Sequence, residues 1–172
     1  LSARARDAIE QTQSSTFAMD LKKWLAIMET YEQGGHAYHT TMPTDALTRL
    51  RDTMVETEAY GFNKVRDEQM ALGQKVRALL TDYGFISVAA EGFKAPGVVV
   101  SFTTDPGLQS SKKFLEVGLQ TAAGVPLQCD EGPDFMTFRL GLFGLDKWHD
   151  SDAAVANLEK ALAVVAPQTT TA

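Results

Sequence analysis

The first half of the chain carries apolar residues at helical spacing. This spacing predicts a short helix over residues 2–10 and a second helix over residues 20–31. From about residue 44, two further helices follow one another and are separated by Gly61. The second of them has an apolar stripe that stays on one face for about five turns. That stripe consists of Val65, Leu72, Val76, Leu79 and Tyr83. Gly84 then stands where a left-handed helix end is expected.

After Gly84 the apolar runs become short and β-branched, which is typical of strands. Four strands are predicted, at residues 85–88, 98–103, 125–128 and 135–143. A helix over residues 105–122 is predicted between the second and third strands. A last helix begins near Asp150, and its buried stripe is formed by Val155, Leu158, Leu162 and Val165. This order predicts an α/β fold of the α+β kind, with a mostly antiparallel sheet and helices on one face.

The amino-acid composition and the net charge of the chain exclude some classes of function. The 172 residues are 44% apolar and 22% charged, which is ordinary for a globular domain. The net charge of -6 argues against a nucleic-acid surface, because phosphate binding needs a basic footprint. No apolar run approaches the roughly 18 residues of a membrane span, and the charged first residues do not resemble a secretory signal. We therefore expect a cytoplasmic protein with no nucleic-acid and no membrane partner.

The histidines and the cysteine of the sequence do not indicate a metal site or a catalytic thiol. The three histidines, His36, His39 and His149, lack the spacing and acidic neighbours of a metal site. The single cysteine, Cys129, excludes an internal disulfide and has no basic neighbour that would activate its thiol. We expect no metal centre and no catalytic cysteine.

Arg139 stands in the middle of the last predicted strand, among Phe138, Leu140 and Leu142. An arginine in an apolar strand is costly unless its charge is paired or directed at a cavity or solvent. One interpretation places Arg139 on the solvent face of a half-covered sheet. The other is a carboxylate clamp, since a guanidinium binds a planar anion through two parallel hydrogen bonds. The pattern alone leaves both open.

A second candidate site is the loop over residues 38–41, which packs three hydroxyls and an imidazole just before a helix. Hydroxyls and free amides at a helix start are suitable phosphate ligands. The same residues also suit an ordinary hydroxyl-stabilised turn that caps the helix. The sequence pattern allows either role.

Taken in order, four segments resemble the C-terminal part of class V, pyridoxal-phosphate-dependent aminotransferases of the alanine–glyoxylate or serine–pyruvate type. Three are short motifs, at residues 17–24 (FAMDLKKW), 37–43 (AYHTTMP) and 138–144 (FRLGLFG). The fourth is the helical stretch from Thr44 to Gly84. The resemblance extends from about residue 17 to residue 165, and its specificity lies in the spacing of the four segments.

The resemblance implies roles for three residues. Arg139 matches the arginine that binds the substrate α-carboxylate. Tyr38 and Thr41 match loop residues that bind the phosphate of the pyridoxal 5'-phosphate held by the neighbouring subunit, which implies a homodimer with a shared active site. The Schiff-base lysine and the acidic partner of the pyridine nitrogen precede the matched region in this family. No lysine of this chain matches that lysine, so we expect the chain by itself to be inactive and to contain no catalytic residue.

The resemblance also implies a domain organisation within a fold type I enzyme. Residues 1–60 would form the end of the large cofactor domain with a connecting helix, and residues 61–172 the small C-terminal domain. The implied reaction moves an amino group between an amino acid, such as alanine or serine, and a 2-oxo acid, such as glyoxylate or pyruvate. Two alternatives stay open, a class V lyase of the desulfurase type and a stand-alone α+β domain that binds or senses a small molecule.

Overall fold

The computed structural model describes residues 1–166, which form two compact units. The first unit, Leu1–Thr53, contains α1 (Ala3–Gln11), α2 (Leu21–Glu32) and the beginning of α3 (Thr44–Tyr60). Ser2 caps α1 by accepting a hydrogen bond from the Ala5 amide, and Asp20 caps α2 through the Lys23 amide. Both helices predicted in this region are therefore confirmed.

The second unit begins at Met54 and contains the sheet. Its elements after α3 are α4 (Phe62–Asp82), β1 (Val98–Phe102), α5 (Pro106–Gln109), α6 (Lys112–Glu116), β2 (Ala122–Ala123), β3 (Thr137–Gly141), α7 (Leu145–His149) and α8 (Ser151–Val165). Gly61 separates α3 from α4 with a φ of 101°, a conformation that favours glycine. The division of the chain predicted at residue 60 to 61 falls at this helix break, whereas the two compact units meet at Thr53 and Met54.

The three strands form an antiparallel sheet in the order β1-β3-β2. The central strand β3 pairs Arg139 with Val100 of β1 and with Ala122 of β2. The sequence predicted a mostly antiparallel sheet for this half of the chain, and the antiparallel pairing is confirmed. The sheet is smaller than expected, because β2 is only two residues long.

One face of the sheet carries the core. Phe138 and Leu140 of β3 are buried there together with Val99 of β1. Helices α4 and α8 supply the other side of this core, and its fully buried members include Leu72, Leu80, Phe114 and Leu162. Because strand residues alternate between faces, Arg139 lies on the face opposite the core.

Residues 105–122 do not form the single helix that the sequence predicted. Asp105 caps a first short helix through the Gly107 amide, and the chain then turns at Ser111, whose φ is 64°. The second short helix, α6, ends before Gly118, where φ is 81°. Two left-handed residues within the stretch break the helical hydrogen-bond ladder, so the prediction of one continuous helix is wrong.

Two predicted strands also differ from the structure. Residues 85–88 form an isolated bridge, with Ser87 opposite Ser101, and not a full strand. The strand predicted at residues 125–128 is absent, and the chain pairs with β3 slightly earlier, at Ala122 and Ala123. The apolar run at 125–128 contains Pro126, which has no amide hydrogen to donate to a ladder.

Candidate functional site

Tyr38 and Thr41 come together in the loop before α3. The hydroxyl of Tyr38 lies 3.1 Å from the hydroxyl of Thr41, within hydrogen-bond distance. Tyr38 is 71% exposed and Thr41 is also exposed, so both hydroxyls are accessible to a ligand. Helix α3 begins at Thr44, shortly after them. The structure therefore presents two adjacent hydroxyl donors near a helix start, a donor set that suits phosphate oxygens.

His39 anchors this loop within the first unit. Its Nε2 lies 2.9 Å from the backbone oxygen of Phe17, and since a carbonyl only accepts, Nε2 carries the proton. The imidazole also packs against the rings of Phe17 and Trp24, with ring centroids 4.5 Å and 5.3 Å away. The indole of Trp24 donates in turn to the oxygen of Ala18. Two of the motifs that carried the family resemblance are thus physically joined through His39.

Arg139 is directed away from the core by the alternation of β3. Its sheet neighbours on the same face include Val100 and Thr137, and Val98 and Phe102 on this face are exposed. The helices of the second unit that contribute to the core, such as α4 and α8, pack on the opposite face. Arg139 therefore stands on the face of the sheet opposite these helices.

The guanidinium of Arg139 is held at one nitrogen. Nε donates a hydrogen bond of 2.8 Å to the backbone oxygen of Ala123, the last residue of β2. No carboxylate forms an ion pair with Arg139 in the part of the chain that the structure describes. Its Nη1 and Nη2 groups are thus available as a bidentate pair for a planar anion.

The turn at residues 128–131 is governed by Glu131. Its carboxylate accepts hydrogen bonds from the amides of Gln128 and Cys129, at 2.9 Å and 2.8 Å. Amide hydrogen bonds, that of Cys129 first, lower the pKa of Glu131 to about 2. Partial desolvation and the Glu131 carboxylate raise the pKa of the Cys129 thiol, which disfavours the reactive thiolate. The geometry gives Cys129 no support as a nucleophile.

No group of three histidine, cysteine, aspartate or glutamate side chains within residues 1–166 is arranged to hold a metal ion. Across the same residues, no helix combines the length and the apolar character that crossing a bilayer requires.

Neither a protein-family profile nor a curated protein matches the sequence. Among solved structures, the crystal structure of an alanine–glyoxylate aminotransferase from Nostoc sp. is similar to this chain, with a TM-score of 0.68 over 94% of its length and 16% sequence identity. The chain shares the fold of part of that aminotransferase. It spans 42% of the length of the Nostoc chain, which fits the resemblance to a C-terminal part. At this level of identity the similarity establishes the fold, and the resemblance inferred from the motifs is confirmed to that extent.

The predicted site residues fall in both units. Tyr38 and Thr41 belong to the first unit, where they contact each other, and Arg139 belongs to the second. The sequence pattern indicates neither the anchoring role of His39 nor the contact between Arg139 and the Ala123 carbonyl. The first involves residues 22 positions apart, and the second involves a backbone atom, so neither leaves a local sequence signal.

Proposed function

We propose that this chain is the C-terminal part of a pyridoxal-phosphate-dependent aminotransferase. The parent enzyme would move an amino group between an amino acid, such as alanine or serine, and a 2-oxo acid, such as glyoxylate or pyruvate. The observation that carries the proposal is Arg139, whose Nη groups are unpaired among residues 1–166 and which lies on the face of the sheet opposite the core. The chain that contains it has the fold of part of an alanine–glyoxylate aminotransferase. Fold alone does not imply function, so the proposed function rests on the chemistry of this side chain.

Arg139 binds the α-carboxylate shared by the amino acid and the 2-oxo acid. Both substrates of a transamination carry this group, so a single arginine serves both half-reactions. The planar guanidinium fits the carboxylate through two parallel hydrogen bonds, which orient the substrate as well as hold it. The neighbouring side chains Val98, Val100 and Phe102 keep this face apolar, which strengthens the interaction of a bound anion with Arg139.

Tyr38 and Thr41 bind the cofactor phosphate in this proposal. Their two hydroxyls, 3.1 Å apart and exposed before α3, fit the oxygens of a phosphate group. Pyridoxal 5'-phosphate supplies the electron sink for the reaction when bound. In the homodimer implied by the resemblance, the two hydroxyls belong to the site of the neighbouring subunit. His39 keeps the loop in place through Phe17 and Trp24.

The remaining machinery would belong to a part of the enzyme that precedes the matched region. The lysine that holds the cofactor covalently and the acidic partner of the pyridine nitrogen have no match in this chain. We propose that the chain by itself is inactive and that the parent is a cytoplasmic homodimer.

A stand-alone α+β domain that binds a small carboxylate is the second candidate, because the accessible Nη groups of Arg139 suit that role as well. The two functions differ in whether carboxylate binding requires pyridoxal phosphate. A binding domain captures carboxylates without pyridoxal phosphate, whereas the aminotransferase requires it. The desulfurase-type lyase has no such observation in its favour, since the pKa of Cys129 is raised.

The deciding experiment is Arg139→Lys in the active enzyme that contains this chain. Lysine keeps the charge and loses the two-point geometry, so we expect kcat/KM for carboxylated substrates to fall about 10²-fold, or about 2.7 kcal/mol. Amines without a carboxylate should change little. The matched control is Arg66→Lys, because within residues 1–166 the Arg66 guanidinium pairs with its neighbour Asp67 and with no other carboxylate. Unchanged kinetics with carboxylated substrates would exclude Arg139 as the substrate anchor.

A further inference from the structure

Arg139 is oriented by a carbonyl on a strand that is too short to be stable by itself. Its Nε donates to the oxygen of Ala123, the second and last residue of β2. Strands of two residues at a sheet edge rely on contacts outside the ladder. What holds Ala123 in place therefore also determines the direction of the Arg139 guanidinium.

Gln109 holds the residue that follows Ala123. Gly124 donates its amide hydrogen to the Gln109 backbone oxygen at 2.9 Å. The carbonyl of Gly124 accepts a hydrogen bond of 3.3 Å from the Gln109 side-chain amide. Gln109 is the last residue of α5, so both polar groups of Gly124 are bound by one residue of that helix.

Gly124 also lies close against β3. It is buried, and a Cβ at this position would lie 1.8 Å from the backbone oxygen of Thr137. Any side chain here must push the segment away from β3. Gly124 is needed for close approach, since its φ is outside the left-handed region where glycine is favoured for conformational reasons.

We propose that Gln109 and Gly124 are positioning residues for Arg139. They fix the Ala123 carbonyl, which occupies Nε and leaves the Nη1 and Nη2 edge as the bidentate edge for a ligand. A carboxylate therefore meets the guanidinium end-on, and not through Nε and one Nη. The consequence for catalysis rests on the proposed function, whereas the positioning itself is a property of this chain.

The positioning is tested on the chain directly by NMR. The signal of the Arg139 Nε–H group is assigned by its loss in Arg139→Lys, and its exchange with solvent is then measured in Gln109→Met. Methionine keeps the length of glutamine and removes the donor to Gly124. We expect exchange to accelerate about five- to tenfold, as for the loss of one hydrogen bond. Gln74→Met, at an exposed glutamine of α4, should leave exchange unchanged.

Two glycine-to-alanine variants provide an independent test of the positioning. Gly124→Ala should accelerate the exchange of Arg139 Nε–H more than Gln109→Met does, and Gly132→Ala, with no atom within 4 Å of the added carbon, should have no effect. If Gly124→Ala does not fold, the glutamine pair decides. Exchange that stays unchanged in a folded Gln109→Met variant overturns the proposal.

In the active enzyme, Gln109→Met should raise KM for carboxylated substrates about five- to tenfold and leave kcat nearly constant, because a loosened Arg139 weakens binding. An equal loss with substrates that lack a carboxylate would mean general damage and would count against positioning. The outcomes separate the two proposals. Normal kinetics in Arg139→Lys defeats the proposed function alone, and unchanged Nε–H exchange in Gln109→Met defeats the positioning alone.

Discussion

Arg139 shows how much one residue depends on strand register. The sequence predicted a strand around it and left two roles open, solvent face or carboxylate clamp. The pairing of Arg139 with Val100 and Ala122 places it on the face of the sheet opposite the core. A shift of one residue would bury the guanidinium among the core side chains, where an unpaired charge costs several kcal/mol.

A single substitution at Tyr38 tests whether the loop over residues 38–41 binds the cofactor phosphate. In the active enzyme, Tyr38→Phe removes a hydroxyl donor to a charged oxygen and should weaken cofactor retention by about 1.5–3 kcal/mol. Stability should change by less than about 0.5 kcal/mol, because the side chain is 71% exposed. Cofactor release into buffer is followed by absorbance, and Tyr31→Phe, at a half-exposed tyrosine of the same unit, is the control. Equal retention in both variants would contradict a phosphate role for Tyr38.

The lowered pKa of Glu131 predicts that the free energy of unfolding depends on pH. Amide hydrogen bonds lower its pKa from 4.5 to about 2, so folding favours the ionised carboxylate. The corresponding stability is present above pH 4.5 and is lost as the pH falls towards 2. Glu131→Gln should therefore lower Tm at pH 7 and flatten the decline of Tm between pH 4.5 and 2.5. Thermal unfolding by circular dichroism measures this, and Glu116→Gln, an exposed glutamate of α6, should keep the wild-type slope.

At the scale of elements, the stretch from α5 to α6 departs most from the sequence pattern. Asp105 caps α5 through the Gly107 amide and also forms an ion pair with Lys113 of α6. Hydrogen bonding to Lys113 is the main cause that lowers the pKa of Asp105. This pair connects the two short helices across the turn at Ser111. A contact between residues eight positions apart thus favours two short helices over the single helix that local propensity predicts.

Gly73 in α4 offers a test of packing against propensity. Alanine in a helix interior is favoured over glycine by about 1 kcal/mol. A Cβ at Gly73 would, however, lie 2.8 Å from the backbone oxygen of Pro96 and 2.9 Å from its Cα. Overpacking against backbone costs about 1–3 kcal/mol, so Gly73→Ala should destabilise the protein by up to about 2 kcal/mol. Urea unfolding measures the difference, with Gly132→Ala as the unstrained control. A more stable Gly73→Ala variant would show that the loop at Pro96 yields easily.

At the scale of the whole molecule, we expect that the chain alone does not catalyse transamination. No lysine of this chain matches the lysine that holds the cofactor in the class V aminotransferases that the sequence resembles. Incubation with pyridoxal phosphate, borohydride reduction and peptide mapping should therefore give scattered, substoichiometric labelling. Lys22, Lys23, Lys64 and Lys94 serve as internal references for non-specific reaction. Stoichiometric labelling of one lysine together with transamination would contradict the proposed division of the active site.

Local features of the sequence determined the long helices and the core. Ser2, Asp20 and Asp150 cap helices whose starts were predicted from the sequence, because a capping side chain bonds an amide within a few residues. The stripes of α4 and α8 likewise predicted core residues such as Leu72 and Leu162, since periodicity is a property of one element.

The tertiary structure decided the positions that depend on distant partners. It placed β2 at Ala122, set His39 against Phe17 and brought Gly124 against Thr137. It also formed α7, which the sequence did not predict. The first three features depend on contacts between residues far apart along the chain, or on a close approach of two backbones. Such contacts follow from how the elements pack, and that packing is not encoded in the spacing of neighbouring residues.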